Sequence, residues 1–462
     1  MHRYFETDKN FYKTVVYIAI PLLLQQILRY GVTSINSIMS GTMGEAVMGA
    51  VELATQPYNI FFSITSGLSS GASVLIAQYW GKGDMSAIRR IFSISFRIIF
   101  VLSFLFSAAV MLFPAQIMGI FSSEAQVIAN GVPYLRVISL SYTLTGLSTT
   151  YLYGLRSIEQ PKPCLYITIM TSLLNAAFNY VFIFGKLGFP KMGIVGLALG
   201  TVISRVIEFA VVLYYAKFKE KVLQFKMKYL TVKDSRLMKD FIRYSIPVCL
   251  GESAYTLSLT VHSYIYGHVG STMVSAFSIV NSLQGILSSV GFAVAASALI
   301  VMGKAVGEGN IDTIHRRKNS YCAISCGAGL LGSVLMLTLR TPLINLYSVG
   351  AETKALAHNM FGTMALMTFF AAYELLFLMG MFRGSGATDF AAGFGTAVTY
   401  IWQIPVGLIA AFVFDLTPEW IFFWLKTELI IKAVGGFAYS FTNKWIKNLT
   451  RDTKETAVET EI

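Results

Sequence analysis

Two glutamates lie inside long apolar stretches of this chain, where a charged side chain is costly. Glu252 stands in GESAYTLSLT and Glu374 in AAYELLFLMG. Each lies nine residues from an arginine, Arg243 or Arg383, which we interpret as marking one membrane surface. At 1.5 Å per residue both carboxyl groups would lie at the same depth, about 13 Å from that surface. Ionisable groups inside a membrane are candidate functional groups, so we predict that this pair exchanges protons or ions.

Other polar residues accompany these carboxylates. Hydroxyl side chains recur on the same helical face as Glu252, beginning at Thr256, so this face is predicted to avoid lipid. We predict that Thr256, Tyr255 and Tyr373 contact a substrate. His262 is predicted either to join a proton path or to pack as a neutral residue between helices.

Two pairs of opposite charges within the apolar stretches have helical spacing. Arg205 and Glu208 are three residues apart, and Glu428 and Lys432 are four apart. Each pair can satisfy its charges on one helix face, so we interpret both as structural.

The elements that must position these residues are membrane-spanning helices. The chain of 462 residues is 55% hydrophobic and 13% charged, with a mean hydropathy of +0.62, whereas a soluble domain carries about 25% charged residues. Its apolar stretches are long enough to cross about 30 Å of hydrocarbon as helices, and they lack the alternation of barrel strands. We therefore predict an all-α membrane protein with about twelve spans. They are 13–41, 47–78, 91–113, 126–155, 163–185, 193–217, 241–268, 273–303, 319–340, 355–381, 391–414 and 420–442.

The chain is an internal repeat with a register near 226 residues. Pro21 corresponds to Pro247, and GKGDMSAIRR from position 81 corresponds to GEGNIDTIHR from position 307. Six spans per copy is an even number, so the two copies are predicted to be parallel bundles around a central cleft. We divide the chain into an N-lobe (1–215), a basic linker (216–240), a C-lobe (241–443) and a tail (444–462).

The distribution of basic residues predicts the topology. The chain has 36 Lys and Arg against 24 Asp and Glu, and most of the basic residues fall in the linker, the tail and alternate loops. This asymmetry places both termini in the cytoplasm of a multi-pass protein in the cell (inner, cytoplasmic) membrane, and it argues against nucleic-acid binding. The start lacks a cleavage site for a signal peptide. The four cysteines lie within or at the edge of apolar spans, so we predict neither a disulfide nor a metal site.

Several stretches resemble the multidrug and toxic compound extrusion (MATE) family of cation-coupled transporters. They are IPLLLQQ at 20, GLSSGASVLIAQYWGKGD at 67, NAAFNYVFIFG at 175, MGIVGLALGTVIS at 192 and MFRGSGATD at 381. The resemblance implies twelve helices in two lobes, with a substrate cavity between or within them. It also implies export of amphipathic, often cationic, organic compounds in exchange for protons or sodium, without a cofactor. We expect a monomer whose partners are a small organic substrate and membrane lipid.

The N-lobe departs from the family pattern at two positions. Members usually carry an aspartate in the first helix and another in the fifth, and the matching positions here are Asn36 and Asn179. Asn175 and Thr201 fit the pattern. We predict that these four residues form a polar cluster that contacts substrate, because amides and a hydroxyl supply neither a charge for sodium nor a group that titrates usefully.

The sequence therefore predicts a secondary active efflux antiporter. The alternative is a flippase for lipid-linked saccharides or cell-wall precursors, which should line its cleft with several cationic residues, whereas only Arg29 and Arg205 are evident. A passive channel or receptor is a rival from another class. The sequence contains no phosphate-binding loop, H-E-x-x-H motif or G-x-S-x-G motif, so we predict that the protein is not an enzyme.

Overall fold

A computed structural model shows an all-α chain and describes residues 4–43, 45–122, 124–223, 234–347 and 349–451. Parts of the predicted linker (224–233) and tail (452–462) lie outside the described residues. The helices are α1 Lys9–Gly41, α2 Glu45–Ala54, α3 Gln56–Lys82, α4 Met85–Leu112, α5 Pro114–Phe121, α6 Ala125–Ser157, α7 Pro161–Phe184, α8 Gly193–Phe218, α9 Ser235–Val269, α10 Ser271–Glu308, α11 Ile311–Asn345, α12 Ala351–Glu374, α13 Phe382–Gly384, α14 Thr388–Ala397, α15 Ile404–Phe412, α16 Pro418–Lys426 and α17 Glu428–Tyr439.

Helices occupy all twelve predicted spans. Nine segments within the described residues are long and apolar enough to cross a membrane. The other three predicted spans correspond to α6, to α9 and to α16 with α17, which are not among these nine segments. The prediction of one continuous helix over 420–442 is wrong, because the chain breaks at Thr427 into α16 and α17.

Two π-helical segments interrupt the C-lobe helices. One, Leu375–Met381, follows α12 directly after Glu374, and the other, Val398–Gln403, joins α14 to α15. A π-turn adds a residue to the helical turn and so changes the face on which later side chains lie. Both segments adjoin the cavity described below.

The repeat found in the sequence is reproduced in the local geometry of two helix junctions. Gly83 ends α3 and Gly309 ends α10, each with φ of 79°, a left-handed conformation that favours glycine. The next residues, Asp84 and Asn310, both cap the following helix by accepting hydrogen bonds from backbone N–H groups, at 3.0 and 3.1 Å. The partition into lobes, linker and tail stays a prediction.

The two lobes pack closely at the end of the bundle that carries both termini, here called the terminal end. A Cβ atom added to Gly81 would collide with the carbonyl of Lys304, and one added to Gly307 would collide with the carbonyl of Gln78. The absence of side chains at these repeat-related glycines therefore lets α3 and α10 cross with their backbones nearly in contact.

The chain from Ile446 to Arg451 crosses this same end. Gln78 of α3 accepts a hydrogen bond from the Leu449 N–H at 2.7 Å, and Arg451 donates two hydrogen bonds to Asp240 of α9, at 2.7 and 2.8 Å. These bonds to the Asp240 carboxylate raise the pKa of Arg451 above its ordinary value. The segment thereby ties the N-lobe to the start of the C-lobe.

Candidate functional site

A cavity of about 350 Å³ lies within the C-lobe. Its walls come from α9, α10, α12 with its π-helical extension, α14, the second π-helical segment, α16 and α17, and α1 of the N-lobe contributes Gln26 and Tyr30. Six charged side chains line it among the described residues: Glu252, Glu374, Glu428, Arg383, Lys426 and Lys432. Three are acidic and three are basic, so their formal charges cancel.

Glu252 forms an ion pair with Arg383 across two helices. The Arg383 Nη1 donates to Glu252 Oε1 at 2.6 Å, and the Arg383 side chain is only 10% exposed. The interpretation of Arg383 as a marker of the membrane surface stays a prediction, and the structure adds that its side chain is buried against Glu252. No partner for Glu252 could be predicted from helical spacing, because the contact joins residues 131 positions apart.

The second ion pair belongs to a hydrogen-bonded network at the start of α17. Lys432 Nζ lies 2.5 Å from Glu428 Oε2 and donates to the Thr399 hydroxyl at 3.0 Å. Gln403 donates to the other oxygen of Glu428. The predicted pairing of Glu428 with Lys432 is confirmed, and so is that of Arg205 with Glu208 in α8, at 2.6 Å. Thr399 and Gln403 were missed, although their spacing of four residues in an apolar span was a usable signal.

Glu374 and Lys426 differ from these four charged residues. Both line the cavity, yet neither has an ion-pair partner within the part of the chain that the structure describes. Lys426 is 9% exposed and its Nζ lies 5.7 Å from the centroid of the Phe422 ring. The cavity therefore presents one acidic and one basic group that form no ion-pair contact with a described residue.

The remaining predicted C-lobe residues divide between the cavity and the packing around it. Tyr255 lines the cavity. The Thr256 hydroxyl donates a hydrogen bond to the backbone carbonyl of Glu252 at 3.0 Å. The Tyr373 hydroxyl donates one to the backbone carbonyl of Cys322 in α11 at 3.2 Å. His262 is 4% exposed, and neither ring nitrogen has a hydrogen-bond partner in the part of the chain that the structure describes. The structure thus places Thr256, Tyr373 and His262 outside the lining of this cavity.

The four N-lobe residues meet in one hydrogen-bonded cluster between α1, α7 and α8. Asn179 donates to Asn36 at 2.9 Å and to Asn175 at 3.1 Å. Asn175 donates to Thr201 at 3.1 Å, and Thr201 donates to the Leu197 carbonyl at 3.0 Å. The cluster contains no charged group, and its amides largely satisfy one another.

The sequence matches the MatE family model over residues 21–181 and 247–409, two segments whose starts differ by the repeat register of 226 residues. It is 26% identical over 435 residues to the Probable multidrug resistance protein NorM of Bradyrhizobium diazoefficiens, covering 92% of this chain and 90% of the relative. It is 24% identical to the Probable multidrug resistance protein YoeA of Bacillus subtilis, over 74% of each chain.

Solved structures share the fold. A crystal structure of MATE in complex with MaL6 superposes with a TM-score of 0.86 at 17% identity, over 93% of this chain and 96% of that one. A MOP superfamily transporter from Pyrococcus furiosus, described as having a binding pocket of reverse polarity, gives 0.85 at 16% identity, over 93% and 95%. The chain belongs to the MatE family, and it is a multi-pass membrane transporter rather than an enzyme.

Proposed function

We propose that this transporter is a multidrug efflux antiporter, which exports amphipathic organic compounds, often cationic, in exchange for protons or sodium. The observation that carries the proposal is the C-lobe cavity, which holds Glu252 and Glu374 together beside apolar and aromatic groups. The multidrug resistance names of the relatives support the same direction of transport. We place the protein in the cell membrane as a monomer with both termini in the cytoplasm.

Glu252 is the principal coupling residue in this proposal. Its carboxylate neutralises Arg383, and a proton or sodium ion that bound to Glu252 would compete with that guanidinium. Removal of one partner leaves the other charge buried and uncompensated, which is strongly unfavourable. Ion binding would therefore release Arg383 and let α9 shift relative to α13, which gives the ion a way to change the shape of the cavity.

Glu374 is the second coupling carboxylate, and it faces the cavity without a counter-charge. Substitution of Glu374 by glutamine should change the pH dependence of transport with a smaller loss than Glu252→Gln. His262 remains a candidate for a proton path, because it is buried and its two ring nitrogens have no hydrogen-bond partner among the described residues. We assign the N-lobe cluster of Asn36, Asn175, Asn179 and Thr201 to substrate contact.

The charge balance of the cavity argues against the flippase alternative. Arg383, Lys426 and Lys432 bring three positive charges to the cavity, but three carboxylates line the same cavity. A pyrophosphate would therefore meet as many acidic groups as basic ones, which disfavours its binding.

The direct test is accumulation of a panel of fluorescent organic compounds, cations among them, in cells that lack other efflux pumps. Cells that express the protein should accumulate less of at least one compound, and a protonophore or removal of sodium should abolish the difference. Glu252→Gln should behave like the empty vector, whereas Lys444→Gln, a change at an exposed residue, should behave like the wild type. Equal accumulation with and without the protein across the panel would reject export, and only downhill movement would indicate a channel.

A further inference from the structure

A second cavity, of about 410 Å³, lies between α11 and α12 at the end of the bundle opposite the terminal end. Helix α11 leaves the terminal end, where Ser320 accepts a hydrogen bond from the Glu6 N–H at 3.0 Å, and its last turns reach the cavity. The lining residues of this α11–α12 cavity are Thr341, Ile344 and Asn345 of α11 and Lys354, Ala355, His358 and Asn359 of α12. It shares no residue with the cavity that holds Glu252.

The lining of the α11–α12 cavity is rich in hydrogen-bond donors. Among the described residues its ionisable groups are Lys354 and His358, and no described carboxylate lines it. The Lys354 ammonium has no ion-pair partner in the described part of the chain, and amide and hydroxyl side chains add further donors. Glu419 of α16 borders the cavity, since Asn359 donates to it at 3.4 Å. The lining therefore matches a ligand that carries negative charge.

Lys354 and His358 can contact one chemical group together. They stand four residues apart in α12, so their Cβ atoms lie about 5–6 Å apart on one helix face. Both residues are half-buried in the wall of the cavity. A phosphate presents several oxygens that accept charge-assisted hydrogen bonds, so one phosphate can accept from the Lys354 ammonium and from a His358 ring N–H.

An apolar face of α11 leads to this cavity. Leu330, Val334 and Leu337 are 53, 56 and 44% exposed. Thr341 and Asn345 continue the same face, because residues spaced by three or four positions lie on one side of a helix. Helix α11 packs against α10 and α12, and exposed apolar surface on a membrane helix is as apolar as the lipid tails around it. The donors of the cavity thus stand at the end of a surface that suits an acyl chain.

We propose that the α11–α12 cavity binds a phospholipid, with the phosphate between Lys354 and His358 and an acyl chain along the apolar face of α11. Basic pockets between membrane helices bind lipid headgroups through this chemistry. A free phosphate ion would satisfy the two donors but would leave the apolar face unused. With both termini in the cytoplasm, as proposed above, the lipid belongs to the outer leaflet. The inference does not depend on what the protein transports.

Lipid binding to the purified, delipidated protein in detergent, measured by native mass spectrometry, tests the proposal. The probes are phosphatidylglycerol, diacylglycerol with the same chains, glycerophosphoglycerol and inorganic phosphate. The wild type should bind its first phosphatidylglycerol about tenfold more tightly than diacylglycerol, which lacks the phosphate, the scale expected for one hydrogen bond to a charged group. Glycerophosphoglycerol and inorganic phosphate should bind at least about tenfold more weakly than phosphatidylglycerol, because neither covers the apolar face.

The variants assign the phosphate to its site. Lys354→Gln should abolish the preference for phosphatidylglycerol over diacylglycerol while diacylglycerol binding stays unchanged, which also shows that the variant is folded. Lys354→Arg should retain the preference. Ala355→Trp fills the cavity without removing a donor and should abolish the preference as well. Lys186→Gln, at an exposed lysine in the loop between α7 and α8, is the matched control and should behave like the wild type.

Equal affinity of the wild type for phosphatidylglycerol and diacylglycerol, or no binding of phosphatidylglycerol, would overturn the inference. Persistence of the preference in Lys354→Gln or Ala355→Trp would overturn it too, because the phosphate would then lie elsewhere. Glycerophosphoglycerol or inorganic phosphate that binds as tightly as phosphatidylglycerol would replace the lipid with a soluble phosphate ligand. Should Lys354→Gln lose diacylglycerol binding, the wild-type affinities with Lys354→Arg and Ala355→Trp decide.

Discussion

The two lobes place different chemistry at their polar centres. The N-lobe cluster consists of three amides and a hydroxyl that hydrogen-bond one another, whereas six charged residues line the C-lobe cavity. A repeat-related pair marks the divergence, since Asn36 corresponds to His262 in the register of 226 residues. The two copies therefore share their helical framework but differ in the charged residues at their centres.

This difference has an energetic consequence. The amide cluster is neutral, and its own hydrogen bonds satisfy most of its polar atoms, with the buried Asn179 Oδ1 as an exception among the described residues. In the C-lobe cavity, Glu252 and Glu428 are each neutralised by a basic partner. A proton or sodium ion that binds one of these carboxylates must therefore leave its basic partner without a counter-charge. On this account the C-lobe carries coupling and the N-lobe carries substrate contact.

The largest expected effect on stability comes from breaking the buried pair in α17. Lys432→Met should destabilise the protein by about 3–5 kcal/mol, because Glu428 would remain buried without its counter-charge. The free energy of unfolding in detergent measures this loss. Adding Glu428→Gln to that variant should restore most of it, and Lys444→Met, at an exposed residue, is the control. Equal stability of the single variant and the wild type would show that the pair is not required.

A smaller effect is expected from the N-lobe cluster. Asn179→Ala removes donors to Asn36 and Asn175 and should cost about 1–3 kcal/mol, because it leaves buried acceptors unpaired. Transport should change in which compounds are exported rather than in its dependence on the ion gradient. Export rates of several compounds, compared with one another and measured with and without an ion gradient, distinguish a change in substrate selection from a change in gradient dependence. Loss of gradient dependence with binding intact would place coupling in the N-lobe.

The smallest effect on stability is expected at the terminal end. Arg451→Ala removes the partly exposed, doubly hydrogen-bonded ion pair with Asp240 and should cost about 1 kcal/mol, because only the arginine side chain is well exposed to solvent. It should nevertheless loosen the contact between lobes, because this segment bonds to both α3 and α9. Cys249 of α9 is a free cysteine that packs against Gly67 of α3, where the two lobes meet. In a variant without the other three cysteines, the rate at which Cys249 is alkylated therefore measures how often α3 and α9 separate. An unchanged rate would show that the segment does not hold the lobes together.

The sequence predicted the fold better than the site. Composition, repeat and spacing were sufficient for twelve helical spans and for the pairs Arg205 with Glu208 and Glu428 with Lys432, because those contacts are local along one helix. The pairing of Glu252 with Arg383 was missed because it depends on how α9 packs against the end of α12. The π-helical segments were missed because the sequence through them is largely apolar, and the break at Thr427 was missed although the charged residues Lys426 and Glu428 flank it.

The measurement that tests the assignment of coupling most directly is transport by Glu252→Gln in reconstituted vesicles. Glutamine keeps the size and the hydrogen bonding of Glu252 but neither titrates nor neutralises Arg383. With an imposed pH or sodium gradient, uphill transport by this variant should collapse while equilibrium binding of a neutral ligand survives, and Asn179→Ala should keep its gradient dependence. Undiminished uphill transport by Glu252→Gln would contradict the account and remove this residue from the mechanism.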